Sequence, residues 1–392
     1  MLDRNNNMQV SQVDAGLVGK KLDKGSLSSA EIRESMVRLP KWAQGFLTWL
    51  TTQPMPNQVY KPRSGKYQVL TGFLSVIFGV VMSALLLKLG KLYYVFFVVS
   101  LAVTVSGMRK LQVVIYHHCS HGSVFESRWA NHVLGEVLSV ILVLKDFRTY
   151  KRDHMAHHNA KKLLTYEDET VQDLGEIGLL PGVTKNILWI RLMFSFISPI
   201  AHARWLLNRV RNCFLSLNIL HNMAAITIWF GLIFIVNYHH LWSQFLIIWL
   251  FPLTVLYHIS RILRLVAEHR WPDSEVLNSR GKMFICLSTV AVFNGEALQE
   301  KAKNEVDNFF SLVWWSIKMM AHLFARVFVL VGDTPCHDYH HRRPSSREWV
   351  NYAFAREQDK EKNCPGYPLN YSEIWGLFNA INQNFKSLSE VK

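Results

Sequence analysis

The sequence predicts an all-α integral membrane protein with four transmembrane helices, arranged as two hairpins under a helical cytosolic cap. Three observations predict it. Four blocks of about 20 residues lack Asp, Glu, Lys and Arg, and a hydrocarbon core of ~30 Å takes ~20 helical residues. The blocks come as two closely joined pairs. Histidines gather in clusters that all fall in the polar stretches to one side of these blocks.

Residues 1–25 read as a disordered or loosely attached tail. Ser28 with Glu31 makes a capping-box helix start. Trp42, Phe46, Trp49 and Leu50 then fall at helical spacing beside Arg38 and Lys41, as in an interfacial helix. An amphipathic helix packed on protein fits the same spacing. Pro54 and Pro56 end the segment. The first span is 68–87; a tight turn at Gly90 leads to the second, 92–108. Spans three and four, 217–236 and 241–260, are joined by "NYHH".

Residues 1–67 carry ten Lys and Arg, the first turn has Lys88 and Lys91, and the second turn has none. Basic flanks stay inside. Both termini and the stretches 109–216 and 261–392 are therefore expected to be cytosolic. Residues 133–144 and 283–293 are too short to span, and 187–200 contains Arg191 and ends at a proline. Residues 309–331 are long enough, but Lys318, His322 and Arg326 make one polar stripe, which suits a helix lying in the interface. The expected division is 1–64, a cytosolic tail and interfacial helix; 65–345, the membrane domain; and 346–392, a cytosolic C-terminal tail.

The bulk numbers agree. A length of 392 residues would allow two or three soluble domains, but the apolar blocks argue for a bundle. A mean hydropathy of only +0.09 implies a sizeable water-facing portion as well. The five cysteines are scattered without a CxxC, which suits reduced cytosolic thiols. No short apolar core with a cleavage site is seen in the polar first 60 residues, so no signal peptide is expected.

Nine of the seventeen histidines form an ordered set. "HHCSH" gives His117 and His121, "HMAHH" gives His154, His157 and His158, and "HDYHH" gives His337, His340 and His341. Spacings of three and four share one helix face. "RLVAEHRW" adds His269, nine residues past the fourth span. Four distant stretches thus converge at one depth. Nine neutral imidazoles exceed the four ligands of a structural zinc and suit two ions with open positions, for which iron is an acceptable partner. Glu268 is a candidate acceptor for the His269 ring, with a Glu268–Arg264 pair as the alternative. Asp153 and Asp338, each beside a box histidine, are candidate acceptors of the same kind. His118, about 100° around the helix from His117, is read as a non-ligand. His132, His202, His221, His239, His240 and His322 are read likewise. His258 lines a pocket or is a hydrogen-bonded core residue. Trp314 and Trp315, upstream of the third box, are candidate tunnel walls or interfacial anchors.

With these residues in view, the chain resembles the membrane fatty acid desaturase and hydroxylase superfamily over roughly residues 65–345. "HHCSH", "KRDHMAHH" and "HDYHH" match its three histidine boxes in order and topology, and "AEH" before "RWP" matches its late histidine. "HHCSHGSVF" with "RLVAEH" is similar to the bacterial hydrocarbon-oxygenase branch. The resemblance implies a non-haem di-iron centre in a cap over four helices. It also implies an acyl chain in a tunnel and O2 as co-substrate, with hydrogen abstracted from an unactivated C–H bond. Desaturation is the first expectation; hydroxylation and oxidative decarboxylation to an alkene follow. One departure stands out: the family's acyl-CoA desaturases place a coordinating Asn four residues before the late histidine, and this chain has Leu265 there.

The implied substrate is a fatty acyl chain, presented as lipid, acyl-CoA, acyl carrier protein or free acid. No haem, ferredoxin or dinucleotide motif appears, so a separate electron donor is expected, such as a ferredoxin or a cytochrome with its reductase. The basic face attracts an acidic carrier or anionic membrane lipids. No nucleic-acid-binding module is present. A metal-transport membrane protein is the remote alternative, but transport needs ligands at mid-depth in the spans. There the chain offers only His221 and His258.

Overall fold

The computed structural model describes residues 28–299 and 304–391; the tail expected over 1–25 lies outside them. Almost all regular structure is helical. Four helices are long and apolar enough to cross a membrane: Gly65–Leu89, Lys91–Ser120, Ile219–Tyr238 and Trp242–Glu268. Their outer faces stay apolar, with Leu74, Ile77, Phe78, Phe230 and Phe234 all exposed. Such a surface suits lipid as the solvent. The helix Glu305–Phe328 is not among the four. It packs instead across the second span and the short helix Gln44–Thr51.

The first two spans meet along a seam of small residues. A Cβ on Gly79 would lie 2.3 Å from Thr104 Oγ1 and 2.6 Å from the Thr104 nitrogen; one on Gly107 would lie 2.7 Å from the Val76 nitrogen. Only hydrogen fits there, and backbones in contact gain dispersion that lipid cannot supply. Ser83 and Ser100 hydrogen-bond across the same seam at 2.7 Å.

Two spans run further than their apolar blocks. The second continues without a break through the first box to Ser120 and the fourth to Glu268, so each delivers histidines directly from the membrane edge. Both contain widened i→i+5 turns: Lys110–Tyr116 in one, and Phe245–Leu250 with Pro252–Leu256 in the other. Pro252 has no N–H for the ladder, which favours loosening there.

The capping box at Ser28 and Glu31 forms. The helix Gln44–Thr51 turns Leu47 and Leu50 onto Met36 and Met319 and leaves Phe46 exposed. It is therefore packed on protein along one side.

Residues 346–391, expected as a tail, are built into the cap. Strand β1 (Ala291–Phe293) pairs in parallel with β2 (Glu373–Trp375). The helix Leu377–Glu390 buries Leu377, Ile381, Phe385 and Leu388 in the same core as Leu265 and Val266 of the fourth span. Asn384 donates to the carbonyls of Val266 (3.1 Å) and Ala267 (2.8 Å), closing the end of that span. Buried Arg356 is held between buried Asp338 (2.8 Å) and half-buried Glu373 (2.9 Å).

Candidate metal centre

Each box gets its position from a helix end. His117 and His121 sit one turn apart where the second span stops. The helix Phe147–His157 is capped by Asp146, whose Oδ1 accepts from the Thr149 N–H at 3.0 Å, and carries His154 and His157, with His158 next. At His269 the fourth span gives way to extended chain, pinned by a bridge to Thr289. The third box occupies the short helix His337–Arg342 after a tight turn at Thr334–Cys336.

The nine histidines meet in two groups. His117, His121, His154, His158 and His340 form one; His157, His269, His337 and His341 form the other. Within each, one nitrogen per ring lies within 4.8 Å of all the rest. In the five-histidine group Nε2 atoms approach at 2.7 Å (His117–His340), 2.8 Å (His121–His154), 2.9 Å (His158–His340) and 3.1 Å (His154–His158). In the other they approach at 3.1 Å (His269–His337) and 3.0 Å (His337–His341). Ligand nitrogens about 2.1 Å from a metal and at right angles to one another are about 3.0 Å apart. The spacings fit that edge, and the donor set fits a transition metal with imidazole preference.

Burial keeps the lone pairs available. It drives His121 and His269 down to about 3, and His154, His158, His337, His340 and His341 well below the ordinary imidazole value, with neighbouring rings adding to the effect. His157 is the exception. Burial opposes its charge too, but the Asp168 carboxylate, 2.9 Å from its Nδ1, raises it above the ordinary value. Asp168 is itself held down at about 2 despite burial, by His157 and the Leu164 N–H.

Two of the three carboxylates expected to orient the boxes are ion-paired elsewhere. Asp153 holds Lys145 (2.9 Å) and Arg152 (3.1 Å), and Asp338 holds Arg356. Glu268 pairs with Arg264 and faces His337 Nδ1 at 3.7 Å rather than His269. The His269 ring instead points its Nδ1 at the Ser288 carbonyl, 3.2 Å away. The reason is the turn at His269, which swings its ring off the face that Glu268 occupies.

Asp168 and Asp333 were not anticipated. Asp333 Oδ2 lies 2.7 Å from Nε2 of His118, whose ring also stacks on Trp349 at 4.1 Å. One cue for Asp168 was present: "DETV" reads as a helix N-cap, and Asp168 caps Glu169–Glu176. His258 is a packed residue, 2.9 Å from His202 and stacked on Trp205. Trp315 donates to the Glu296 carbonyl at 2.9 Å, and Trp314 is 60 % exposed on the helix Glu305–Phe328. Neither tryptophan lines the cavity at the histidines.

That cavity, about 170 Å³, touches His117 and His154 of one group and His157 and His337 of the other. Its walls mix charged groups such as Lys145, Glu169, Asp173 and Arg264 with apolar ones such as Val113, Leu144 and Leu265.

A family model described as fatty acid desaturase matches residues 92–375. No curated protein and no solved structure matches the chain.

Proposed function

The chain belongs to the fatty acid desaturase family and is thereby a membrane oxidoreductase acting on a fatty acyl type of substrate; on that premise we propose that it is an O2-dependent di-iron enzyme that removes hydrogen from an acyl or related hydrocarbon chain. The observation that carries this reading is the convergence of nine buried or half-buried, mostly neutral imidazoles into a group of five and a group of four at metal-ligand spacing. His117, His121, His154, His158 and His340 would hold one iron, and His157, His269, His337 and His341 the other. When bound, the irons supply oxygen activation and cleavage of an unreactive C–H bond.

The chain's own contribution is to prepare and shield that centre. Asp168 fixes the proton of His157 on Nδ1 and leaves Nε2 free to donate its lone pair; the Ser288 carbonyl does the same for His269. Trp349, itself buried, covers the ring of His118 beside the first box. Desaturation is the leading outcome, and hydroxylation and oxidative decarboxylation follow from different substrate placement at the same centre. The basic residues over 1–67 support a cytosolic position for both termini and the centre. An acidic electron carrier docks on that face. The C-terminal residues belong with the catalytic unit, since they support the end of the fourth span.

The test is purified protein in lipid nanodiscs with iron, O2, a reductant system and a panel of acyl substrates, read by mass spectrometry. Loss of two hydrogens, gain of an oxygen or loss of the carboxyl would each name the reaction. About two irons per chain are expected. Iron flux into liposomes without any oxidised product would replace this reading with transport.

A further inference from the structure

A second cavity lies at the foot of the first span. It encloses about 340 Å³ between the helix Gln44–Thr51, residues 58–63 on the approach to that span, and residues 350–354, which follow the third box. None of its lining residues borders the cavity at the histidines. Aromatic rings make much of its wall: Trp49, Tyr60, Tyr352 and Phe354, with Tyr60 stacked on Phe354 at 4.6 Å. Lys61 and Arg63 also line it, and both are exposed, so water and a ligand can reach them. No Asp or Glu lines it. Glu348, on the neighbouring turn, is turned to Asn351 Nδ2 at 3.2 Å.

Four cations gather in this corner. Arg63 stands over the Tyr67 ring at 5.4 Å. Behind the aromatic wall lies buried Arg326, its guanidinium 5.1 Å from the Trp49 ring and 5.8 Å from the Tyr352 ring. Lys110 of the second span, within electrostatic reach of Arg63 and Arg326, donates to Thr71 Oγ1 at 2.6 Å. Among the described residues, none of Lys61, Arg63, Lys110 and Arg326 has a carboxylate oxygen within 4.0 Å. Like charges so placed repel one another, and the buried ones do so with little screening by salt. An anion in the cavity would relieve that repulsion, and the two exposed cations are placed to hold it.

The place of the cavity says where the anion comes from. The first span begins at Gly65, just after Arg63, and its Tyr67 and Leu70 are exposed. Trp42 and Phe46, beside the cavity's own helix wall, are exposed as well. Aromatic and basic residues at the end of a span sit among headgroups, and juxtamembrane cations attract anionic lipid. At about 30 Å³ per water-sized group the cavity holds about eleven, the size of a phosphodiester with its glycerol. We propose that this cavity binds the headgroup of one anionic phospholipid, its phosphodiester on Lys61 and Arg63 and its acyl chains along Tyr67 and Leu70. The site goes beyond the oxidoreductase reading and needs no iron. The lipid ties together the helix before the first span, the span itself and the segment that follows the third box.

The test uses full-length protein in mild detergent, with phosphatidylglycerol and phosphatidylcholine of the same acyl chains as probes and bound lipid counted by native mass spectrometry. Phosphatidylglycerol is retained about tenfold better, the value of two cations at a lipid surface. Lys61→Gln with Arg63→Gln erases that preference. Gly45→Leu erases it without touching a charge: an added Cβ there meets nothing within 4 Å, so the side chain grows into the cavity it lines. Lys88→Gln with Lys91→Gln, at the far end of the first span, leaves the preference intact. Equal retention of the two lipids overturns the proposal. So does a preference that survives Gly45→Leu, which would mean a diffuse basic surface, or displacement of the lipid by inorganic phosphate, which would mean a soluble ligand. If the variants fail to insert, the wild-type ratio decides, together with hydrogen-exchange protection of residues 58–63. Protection by phosphatidylglycerol alone supports the site, and equal protection by both lipids sinks it.

Discussion

The two histidine groups hold their lone pairs together in different ways. The five-histidine group relies on number. Among the described residues, no carboxylate or carbonyl bonds any Nδ1 of its rings, and the buried Nδ1 of His158 has no partner at all. The four-histidine group has fewer rings but a richer surround, with Asp168 on His157, Glu268 facing His337 and the Ser288 carbonyl on His269; of its rings, His341 has a buried Nδ1 without a partner, as His158 does. An anionic partner raises the basicity of an imidazole ligand and fixes its orientation. A metal in the first group would thus be held by ligand count, and one in the second by ligand quality.

The largest expected effect comes from removing a ring that two others share. His340 touches both His117 and His158. His340→Ala should take iron from about two to about one per chain and product below detection, while the protein still inserts. Retention of full iron content and product would break the assignment. Next is Asp168→Asn, which keeps the shape and removes the charge behind His157. Metal retention against a chelator should weaken by about 10–100-fold, for one iron of the pair only. Equal weakening at both positions would show that the groups do not divide as described. Glu268→Gln should cost less, within about tenfold, because Glu268 is shared with Arg264 and stands 3.7 Å from His337. A larger loss than for Asp168→Asn would invert the ranking.

The smallest effect is on the metal-free protein's response to pH. An unfolded imidazole titrates near about 6.5. His121, His154, His158, His269, His337, His340 and His341 are depressed in the fold, so the stability tied to their neutral form is present above that value. It is lost as pH falls below it. His157 is raised, so its contribution is present below that value and lost as pH rises through its folded pKa. Seven against one, the thermal midpoint followed by tryptophan fluorescence should drop between pH 7 and pH 5. A midpoint that rises on acidification would contradict the buried, neutral state of the cluster.

The sequence announced those features that repeat along a helix. Apolar blocks of membrane length and histidines at three- and four-residue spacing both carry a period, so the four spans and the nine rings that meet could be read directly. Features made by chain closure carry none. Asp168 and Asp333 reach their imidazoles from turns, and Ser288 offers only its backbone. Arg109 looks in sequence like an ordinary basic residue at the end of a span; its burial against Tyr257 appears only when the fourth span is in place. The C-terminal stretch was legible in principle, since Leu377, Ile381, Phe385 and Leu388 keep helical spacing. Its polar composition hid the fact that they have a core to enter.

The glycine seam between the first two spans makes the membrane anchor a depth gauge for chemistry. Because Gly79 and Gly107 admit no extra atom, the second helix can neither slide nor tilt against the first without collision. The rings at its tip inherit that fixed height. A methyl group introduced at either glycine would be felt, on this view, as a misplaced oxidant at the tip of the rod.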